Sequence, residues 1–523
     1  MSVTTRSGPT PFYITTAIDY PNAPPHIGHS LEKVAADVVA RYHRLIGDDT
    51  AYTMGLDENS QHVLRAAIQN GVTPVEWTDD MDVAFRRAWD ALDVSRTAWV
   101  RTTEERHFRA SQELFRRAQA NGDIYTATYA GWYCPNCNNY YIDEELVDGR
   151  CPNHPTIEPD WLEEENYFFA LSNHQERLRR HIEEHPEFIT PSVWRPEMLA
   201  LIDRGLRDFS VSRAVRPGTT PWGVPVPGDP NHVLYVWFDA LTTYLTAIGF
   251  PDDTETSARY WPADSQVIGK DIQRFHCLYW PAMLLSSGLP LPRRVIVHGF
   301  ITVEGQRISK TTGNVIDPVK LVEEFGVDPV RYYLMRDITF RSDGDFSRAN
   351  LIRRHNDDLG NDLGNLLNRV VAMVGRYRDG RVPEPGEPGE PEVDLRRVAE
   401  EARDRAAEQI EAWELDRALE SLWTLVRRAN QYLEARQPWK LAKQPEAAQT
   451  LETTLWTAAE ATRLVAIFLA PYVPATSDKI VHQLGLEPIK AGAWANAGQW
   501  GAATFGAVNL AGPIFPRIEV ATV

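Results

Sequence analysis

The chain has 523 residues, of which 43% are hydrophobic and 24% charged, with a formal net charge of −18. That length exceeds one ordinary core, so several domains are expected, and the composition excludes a disordered or membrane-embedded chain. The acidic balance argues against a global electrostatic grip on nucleic acid. A local basic face decides that question instead, and Arg353, Arg354, Arg369, Arg427 and Arg428 are the candidates for one.

The first residues, MSVTTRSGPTPFYITT, carry no basic stretch followed by an apolar one and predict no signal peptide. Residues 12–18 are β-branched and aromatic and predict a strand. A loop rich in Pro, Asn and Gly follows. Residues 30–46 have helical periodicity through Leu31, Val34, Val38 and Tyr42, and residues 50–54 predict a second strand. Strand, loop, helix, strand is the opening of a parallel nucleotide-binding sheet. Residues 102–121 predict a helix. Residues 124–168, rich in Tyr, Cys, Pro and Asn, predict an insertion that splits the sheet. Helices are expected over 171–184 and 197–206. Strands of the returning sheet are expected at 233–236, 266–268 and 294–298, alternating with helices over 239–248 and 272–285.

After about residue 348 the pattern is helical, with Leu359, Leu363, Leu366, Val370 and Val374 as a buried stripe. Residues 380–394 (GRVPEPGEPGEPEVD) predict an acidic, turn-rich loop, and helix resumes over 395–484. The apolar run at 464–473 is too short to span a bilayer.

Three features carry chemistry. Pro25-His26-Ile27-Gly28-His29 sits between a predicted strand and helix, so both histidines share a face at a helix start. The free N–H groups there would aid phosphate contact, and Gly28 clears space for a flat base. Far downstream, Gln306 to Asn314 (QRISKTTGN) offers Lys310 on a Ser/Thr/Gly-rich loop, suited to a migrating negative charge. Cys134, Cys137, Cys151 and His154 are spaced C-x2-C-x13-C-x2-H, the pattern of a closed, structural tetrahedral zinc. Cys277, the fourth cysteine, is expected to be a buried apolar thiol. Clustered thiols in place of disulfides point to a reducing cytoplasm.

The order of TTAIDYPNAPPHIGH, GWYCPNC, EENYFF, WGVPVPGDP, YVWFDALTTYL, IGKDI, HGFITVEGQRISK, DPVRYYL and QPWKLAK resembles the methionyl-tRNA synthetases, of class I, over nearly the whole chain. The resemblance implies an α/β Rossmann-like catalytic domain split by a zinc-knuckle insertion, then an all-α helical-bundle anticodon-binding domain. The division it implies is 1–115 and 216–300 for the catalytic halves, 116–215 for the insertion, 301–355 for the signature loop and stem contacts, and 356–523 for the anticodon domain. It implies ATP-dependent activation of L-methionine, with Mg²⁺, and transfer to initiator and elongator tRNA(Met) by a cytoplasmic monomer that binds no membrane.

Carried over by position, the resemblance places His26, His29, Arg307 and Lys310 in catalysis. Gly28, Lys270, Asp271, His298, Gly299, Ser309 and Lys310 fall at the ATP site. Ile18, Tyr20, Asp57, Trp237, Ala240, Leu241, Tyr244, Ile272 and His276 fall in the methionine pocket. There the Ile18 carbonyl and Asp57 would hold the ammonium, aromatic edges would enclose the thioether, and Tyr244 and His276 would offer hydrogen bonds to sulfur. Asn365, Arg369, Pro438 and Trp439 match anticodon-reading positions, with Trp439 available to stack a base. Three positions depart from the family. Asn59-Ser60 stand where His-Gly is usual after Asp-Glu, Arg307 replaces a lysine, and Asp19 replaces an apolar or aromatic residue. Two other readings compete with an active ligase: a tRNA-binding paralogue without turnover, and an enzyme that activates methionine without charging tRNA. The first would favour loss of His26, His29, Lys310 or Asp57, yet all four are present. The second would leave the anticodon positions without a role.

Overall fold

The computed structural model describes residues 9–134, 139–152, 155–215, 221–308 and 313–519. Its centre is a six-stranded, all-parallel sheet. β1 (Pro11–Thr16) lies in the middle, with β2 (Asp49–Leu56) and then β3 (Ala98–Arg101) on one side. On the other side lie Ser265–Gly269, Val295–His298 and, at the edge, Ile189–Thr190. The chain leaves β1 in one direction and returns beside it from the other. β1 and Ser265–Gly269 therefore flank a topological switch point, where such sheets bind ligands at the carboxyl ends of their strands.

α1 (Ile27–Ile46) joins β1 to β2 and is covered on nearly every face, including Lys33 and Asp37. Its 20 residues span roughly 30 Å. Gly47 stops it with φ 97°, a conformation that glycine adopts at no steric cost. α2 (Gln61–Asn70) and α3 (Pro74–Ala91), the latter opened by a Thr73/Glu76 capping box, lead to β3.

Between the sheet halves lies a four-stranded antiparallel sheet in the order Asn139–Tyr141, Ile124–Cys134, Asp160–Phe169, Phe209–Ser210. The expected strand at 233–236 is placed differently from the sequence reading. Asp229–Leu234 pairs antiparallel with Ser212–Ala214 in a separate three-stranded sheet, and Val236 already starts the helix Val236–Thr246. β-branched alternation suits either sheet; the local antiparallel partner decides.

The C-terminal part is helical: Asn365–Tyr377, Glu390–Glu411, Leu415–Arg436, Ala448–Leu469 and Pro474–Gln483. The acidic loop ends earlier than expected, because the Glu392 carboxylate accepts from the Gly389 N–H at 2.9 Å and the helix starts at Glu390. The apolar run near Leu464 is buried within the bundle. Among the described residues no helix is long and apolar enough to cross a membrane.

The sheet and bundle share a hydrophobic core and one buried ion pair. Arg331, wholly buried, lies 2.7 Å from Asp37 of α1, also wholly buried. It donates further to the carbonyls of Leu92, Pro471 and Tyr472. At the far end of α1 the carbonyls of Arg44 and Leu45 accept from Gly492 and Trp494.

Candidate active site and anticodon face

The ends of β1, β2, Ser265–Gly269 and Val295–His298 gather the expected site residues around the switch point. His26 is the N-cap of α1, and its Nδ1 accepts from the Gly28 N–H at 3.1 Å. His29 Nδ1 accepts from the His26 N–H at 3.2 Å, and the two rings lie 4.0 Å apart. Burial lowers both imidazoles, His29 to about 3. They are therefore neutral, with the proton on Nε2, and each presents one N–H donor. The expectation of free backbone N–H groups is corrected here. Ile27 N–H donates to Ile316, Gly28 N–H to the His26 ring and His29 N–H to the His26 carbonyl. Phosphate contact at this helix start falls to the imidazoles, not to the first-turn amides.

Gly28 is required for a different reason from the one expected. A Cβ there would stand 2.8 Å from the His26 ring and 3.2 Å from Ile308. Those contacts also show that the upstream and downstream signature segments meet. Arg307 ends the short strand Gln306–Arg307 and is exposed. Ser309 and Lys310 lie outside the described residues, as do Cys137 and His154.

Lys270 and Asp271 follow the strand end at Gly269. Lys270 Nζ is bound to both oxygens of Asp343, at 2.6 and 2.8 Å, over the Phe300 ring. His298 is buried, 3.4 Å from Glu32. Gly299 passes so near Ser342 that a Cβ would meet its carbonyl oxygen at 2.3 Å.

Asp57, immediately after β2, is 1% exposed, and its Oδ1 has no hydrogen-bond partner. Burial pushes its carboxyl up to about 8, against a hydrogen bond from Tyr20, with Glu58 adding to the rise. Asp239 is a residue that sequence reasoning missed. It is wholly buried, feels the charge of Asp57, and is likewise raised by burial. Asn59, one of the departures from the family, donates to Asp239 Oδ2 at 2.8 Å and to the Thr102 carbonyl at 3.0 Å. Asn59 Oδ1 and Asp239 Oδ1 are also buried without partners. Three unpaired acceptors in one buried place suit a bound donor group, such as an ammonium. The only sequence signal for Asp239 is an acid inside an otherwise apolar helix start.

Trp237 stacks on Phe275, centroids 4.0 Å apart and nearly parallel, with Tyr20 edge-on at 6.4 Å. Ala240, Leu241 and Tyr244 continue the wall on the same helix, all buried, while Ile272 is half-buried. His276 Nδ1 lies 3.1 Å from the Ile272 carbonyl and its Nε2 lies 2.7 Å from the Tyr244 hydroxyl. Because burial takes His276 down to about 4, it is neutral. A carbonyl only accepts, so the ring proton is on Nδ1 and Tyr244 donates to Nε2. The Tyr244 hydroxyl is thus spent on His276 and the His276 N–H on the Ile272 carbonyl, so neither is left to donate to a sulfur, and the wall there is apolar and aromatic.

An Asp57 that holds an ammonium, as the resemblance implies, must be ionised when occupied, whereas burial keeps the proton on the empty site below about pH 8. Binding then releases a proton. KM for the amino acid is expected to fall as pH rises, by up to about tenfold per unit, and to level above pH 8. A KM that is flat or rises over that range, measured by pyrophosphate exchange, excludes this coupling.

Cys134, the last residue of the strand Ile124–Cys134, and Cys151 are both wholly buried in a small cluster with Tyr141. Cys277 is buried in the main core, as expected. On the bundle, an open concavity of about 630 Å³ is lined by Asn361, Asn365, Arg369, Asn430, Gln431 and Glu434. Asn361, Asn430 and Gln431 carry no signal in the sequence. Arg369 pairs with Glu434 at 2.7 Å and lies 5.7 Å over the Trp439 ring. Pro438 opens the short helix that carries Trp439. The five candidate arginines for a basic face are paired, as ordinary solvated helix faces would have them: Asp337 with Arg353 and Arg354, Glu420 with Arg427, Asp394 with Arg428 and Glu434 with Arg369.

Comparison with known proteins agrees with this geometry. The family model for class I tRNA synthetases (M) matches residues 12–158 and 156–371, and that for the anticodon-binding domain of methionyl tRNA ligase matches 382–505. The chain is 42% identical to the methionine–tRNA ligase of Caldanaerobacter subterraneus over 97% of its own length and 79% of the relative's. It is 43% identical to that of Brucella suis, over 91% and 92%. A solved structure of Mycobacterium tuberculosis methionyl-tRNA synthetase, in complex with methionyl-adenylate, superposes with a TM-score of 0.92 at 42% identity. That match covers 97% of this chain and all of the other. The chain therefore belongs to the methionyl family of class I tRNA synthetases.

Proposed function

We propose that this chain is a methionine–tRNA ligase that activates L-methionine with ATP and transfers it to tRNA(Met), initiator and elongator alike. The observation that carries the reading is the set of groups at the strand ends, a buried carboxylate with an unpaired oxygen, the stacked aromatic rings and two neutral histidines at the start of α1.

Asp57 and the Ile18 carbonyl hold the ammonium. Tyr20, Trp237, Ala240, Leu241 and Ile272 enclose the thioether, while Tyr244 and His276 lock one another and close the wall. A pocket of this kind selects by shape, which separates neighbours differing by one methylene by only about 1–3 kcal/mol. A carboxylate oxygen of methionine bonds to the α-phosphorus and the bond to the bridging oxygen breaks, releasing pyrophosphate. No general base is needed, since the nucleophile is already ionised. His26 and His29 donate Nε2–H to phosphate oxygens. Full positive charge comes from Lys310 and Arg307, with Ser309, Lys270, Asp271, Gly28, His298 and Gly299 lining the nucleotide side. In the second step the terminal ribose hydroxyl of tRNA attacks the activated carbonyl and AMP leaves.

Mg²⁺ brought with ATP would screen the phosphate charge. Two wholly buried thiols in one cluster suit a structural zinc, which Cys134, Cys137, Cys151 and His154 would hold and which would crosslink the inserted sheet. Asn365, Arg369, Pro438 and Trp439 read the anticodon from the bundle. The division into 1–115, 116–215, 216–300, 301–355 and 356–523, a monomeric state and a cytoplasmic location belong to the same proposal.

The test is ATP–pyrophosphate exchange with methionine against leucine, isoleucine, valine and homocysteine, followed by tRNA charging. Methionine-dependent exchange that Lys310→Ala abolishes is expected. Trp439→Ala is expected to raise KM for tRNA about tenfold or more, the worth of one stacked base. Folded protein without exchange for any amino acid refutes the reading.

A further inference from the structure

Lys33 is the one lysine of α1, and only 1% of its side chain is exposed. Its Nζ donates to the Ala17 carbonyl at 2.5 Å, to Thr16 Oγ1 at 3.2 Å and to Glu32 Oε1 at 2.7 Å, and lies 3.3 Å from Asp19 Oδ1. These contacts bracket a single residue, because Ala17 and Asp19 are the two neighbours of Ile18. The β1 ladder has ended at Thr16, and Ala17 N–H makes the last bond to the next strand, at Val267. Beyond it the loop is held through Asp19, which forms an isolated parallel bridge to β2. Asp19 N–H donates to Gly55, and the Asp19 carbonyl accepts from Asp57 N–H at 2.9 Å. One ammonium therefore connects α1 to both sides of Ile18 and, through Asp19, to the backbone of Asp57. The helix end of this link is itself fixed, since Tyr52 Oη donates to the Lys33 carbonyl.

We propose that Lys33 is a positioning residue that sets the Ile18 carbonyl and the Asp57 carboxylate at the spacing required by the substrate ammonium. The assignment rests on the methionine pocket proposed above. It also accounts for Asp19, since the side chain that departs from the family is the acidic partner that lets a buried lysine grip this loop. A misplacement of ligand groups by a fraction of an ångström is costly in a preorganised site, so loss of the grip falls on amino acid binding. Among the described residues, the link from Lys33 toward the nucleotide side runs through Glu32 to His298, and Glu32 keeps His298 as a partner when Lys33 is replaced.

Lys33→Met alone strands Asp19 and Glu32 as two buried carboxylates and is liable to unfold. The variant to build is Lys33→Met with Asp19→Asn. It removes one ammonium and one carboxylate together and leaves the local charge as it was. Pyrophosphate exchange by the full chain, with thermal melting alongside, is expected to show KM for methionine raised about tenfold, KM for ATP within about twofold, and a single melting transition at a lower temperature than the parent's, because Glu32 loses its ammonium. Asp19→Asn alone keeps the Ala17 contact and is expected to raise KM for methionine about threefold. If the double variant does not fold, that single variant decides. A folded variant with unchanged KM for methionine, or with both KM values raised in parallel, overturns the positioning role. Asp57→Asn is the control for the pocket: if it too leaves KM for methionine unchanged, the ammonium binds elsewhere and both assignments fall.

Discussion

Asp57→Asn is expected to raise KM for methionine about 10²-fold, corresponding to roughly 3 kcal/mol lost with a desolvated charge pair. The size follows from where the carboxylate sits. Asp57 is 1% exposed, so water cannot replace the lost charge at the substrate ammonium, and Asp239 is anchored through Asn59 and cannot swing across. The asparagine keeps size and backbone contacts, so the effect isolates charge. It should also flatten the pH dependence of KM, because the group that exchanges a proton for an ammonium is gone. A variant with a KM within threefold of the parent would place the ammonium contact elsewhere, with Asp239 the first alternative.

The second large effect is on stability. Arg331→Met is expected to cost about 3 kcal/mol or more, because removing one partner of a buried ion pair leaves the other uncompensated. Asp37 is wholly buried, and although burial pushes its carboxyl up, Arg331 and then Arg41 hold it below the ordinary range. Arg41 and Ser95 remain on Asp37 in the variant, which limits the loss. The three carbonyls of Leu92, Pro471 and Tyr472 lose their donor at the same time. Equilibrium denaturation measures the change directly. A shift below about 1 kcal/mol would mean that packing, not the pair, joins sheet and bundle.

The parts of the molecule that are legible in the sequence are those whose signal is local. The strand–loop–helix of residues 11–46, with histidines at the helix start, follows from β-branching, turn residues and a 3.6-residue apolar period within one stretch of chain. What is not legible depends on partners far away in sequence. Asp239 looks like the polar face of a helix until Asn59, 180 residues earlier, is found bound to it. Lys33 lies off the stripe of Leu31, Val34, Val38 and Tyr42 and suggests a solvated side; only a helix covered on nearly every face makes it a buried ion. The strand near Val233 has the right pattern but the wrong sheet, because alternation does not name its partner. The histidines stand at the helix start as expected, whereas the commitment of the Ile27 amide depends on Ile316, which no local pattern reveals.

α1 carries both histidines in its first turn, Lys33 and Asp37 along its length, and at its last turn the carbonyls that receive Gly492 and Trp494. A rod of this kind has no joint at which its two ends could adjust separately. The catalytic face is consequently finished only when the C-terminal helices have docked on the same rod. Assembly of the site and closure of the whole molecule are then a single cooperative event, and a chain that has folded its sheet but not yet seated its bundle holds the right side chains without a working arrangement of them.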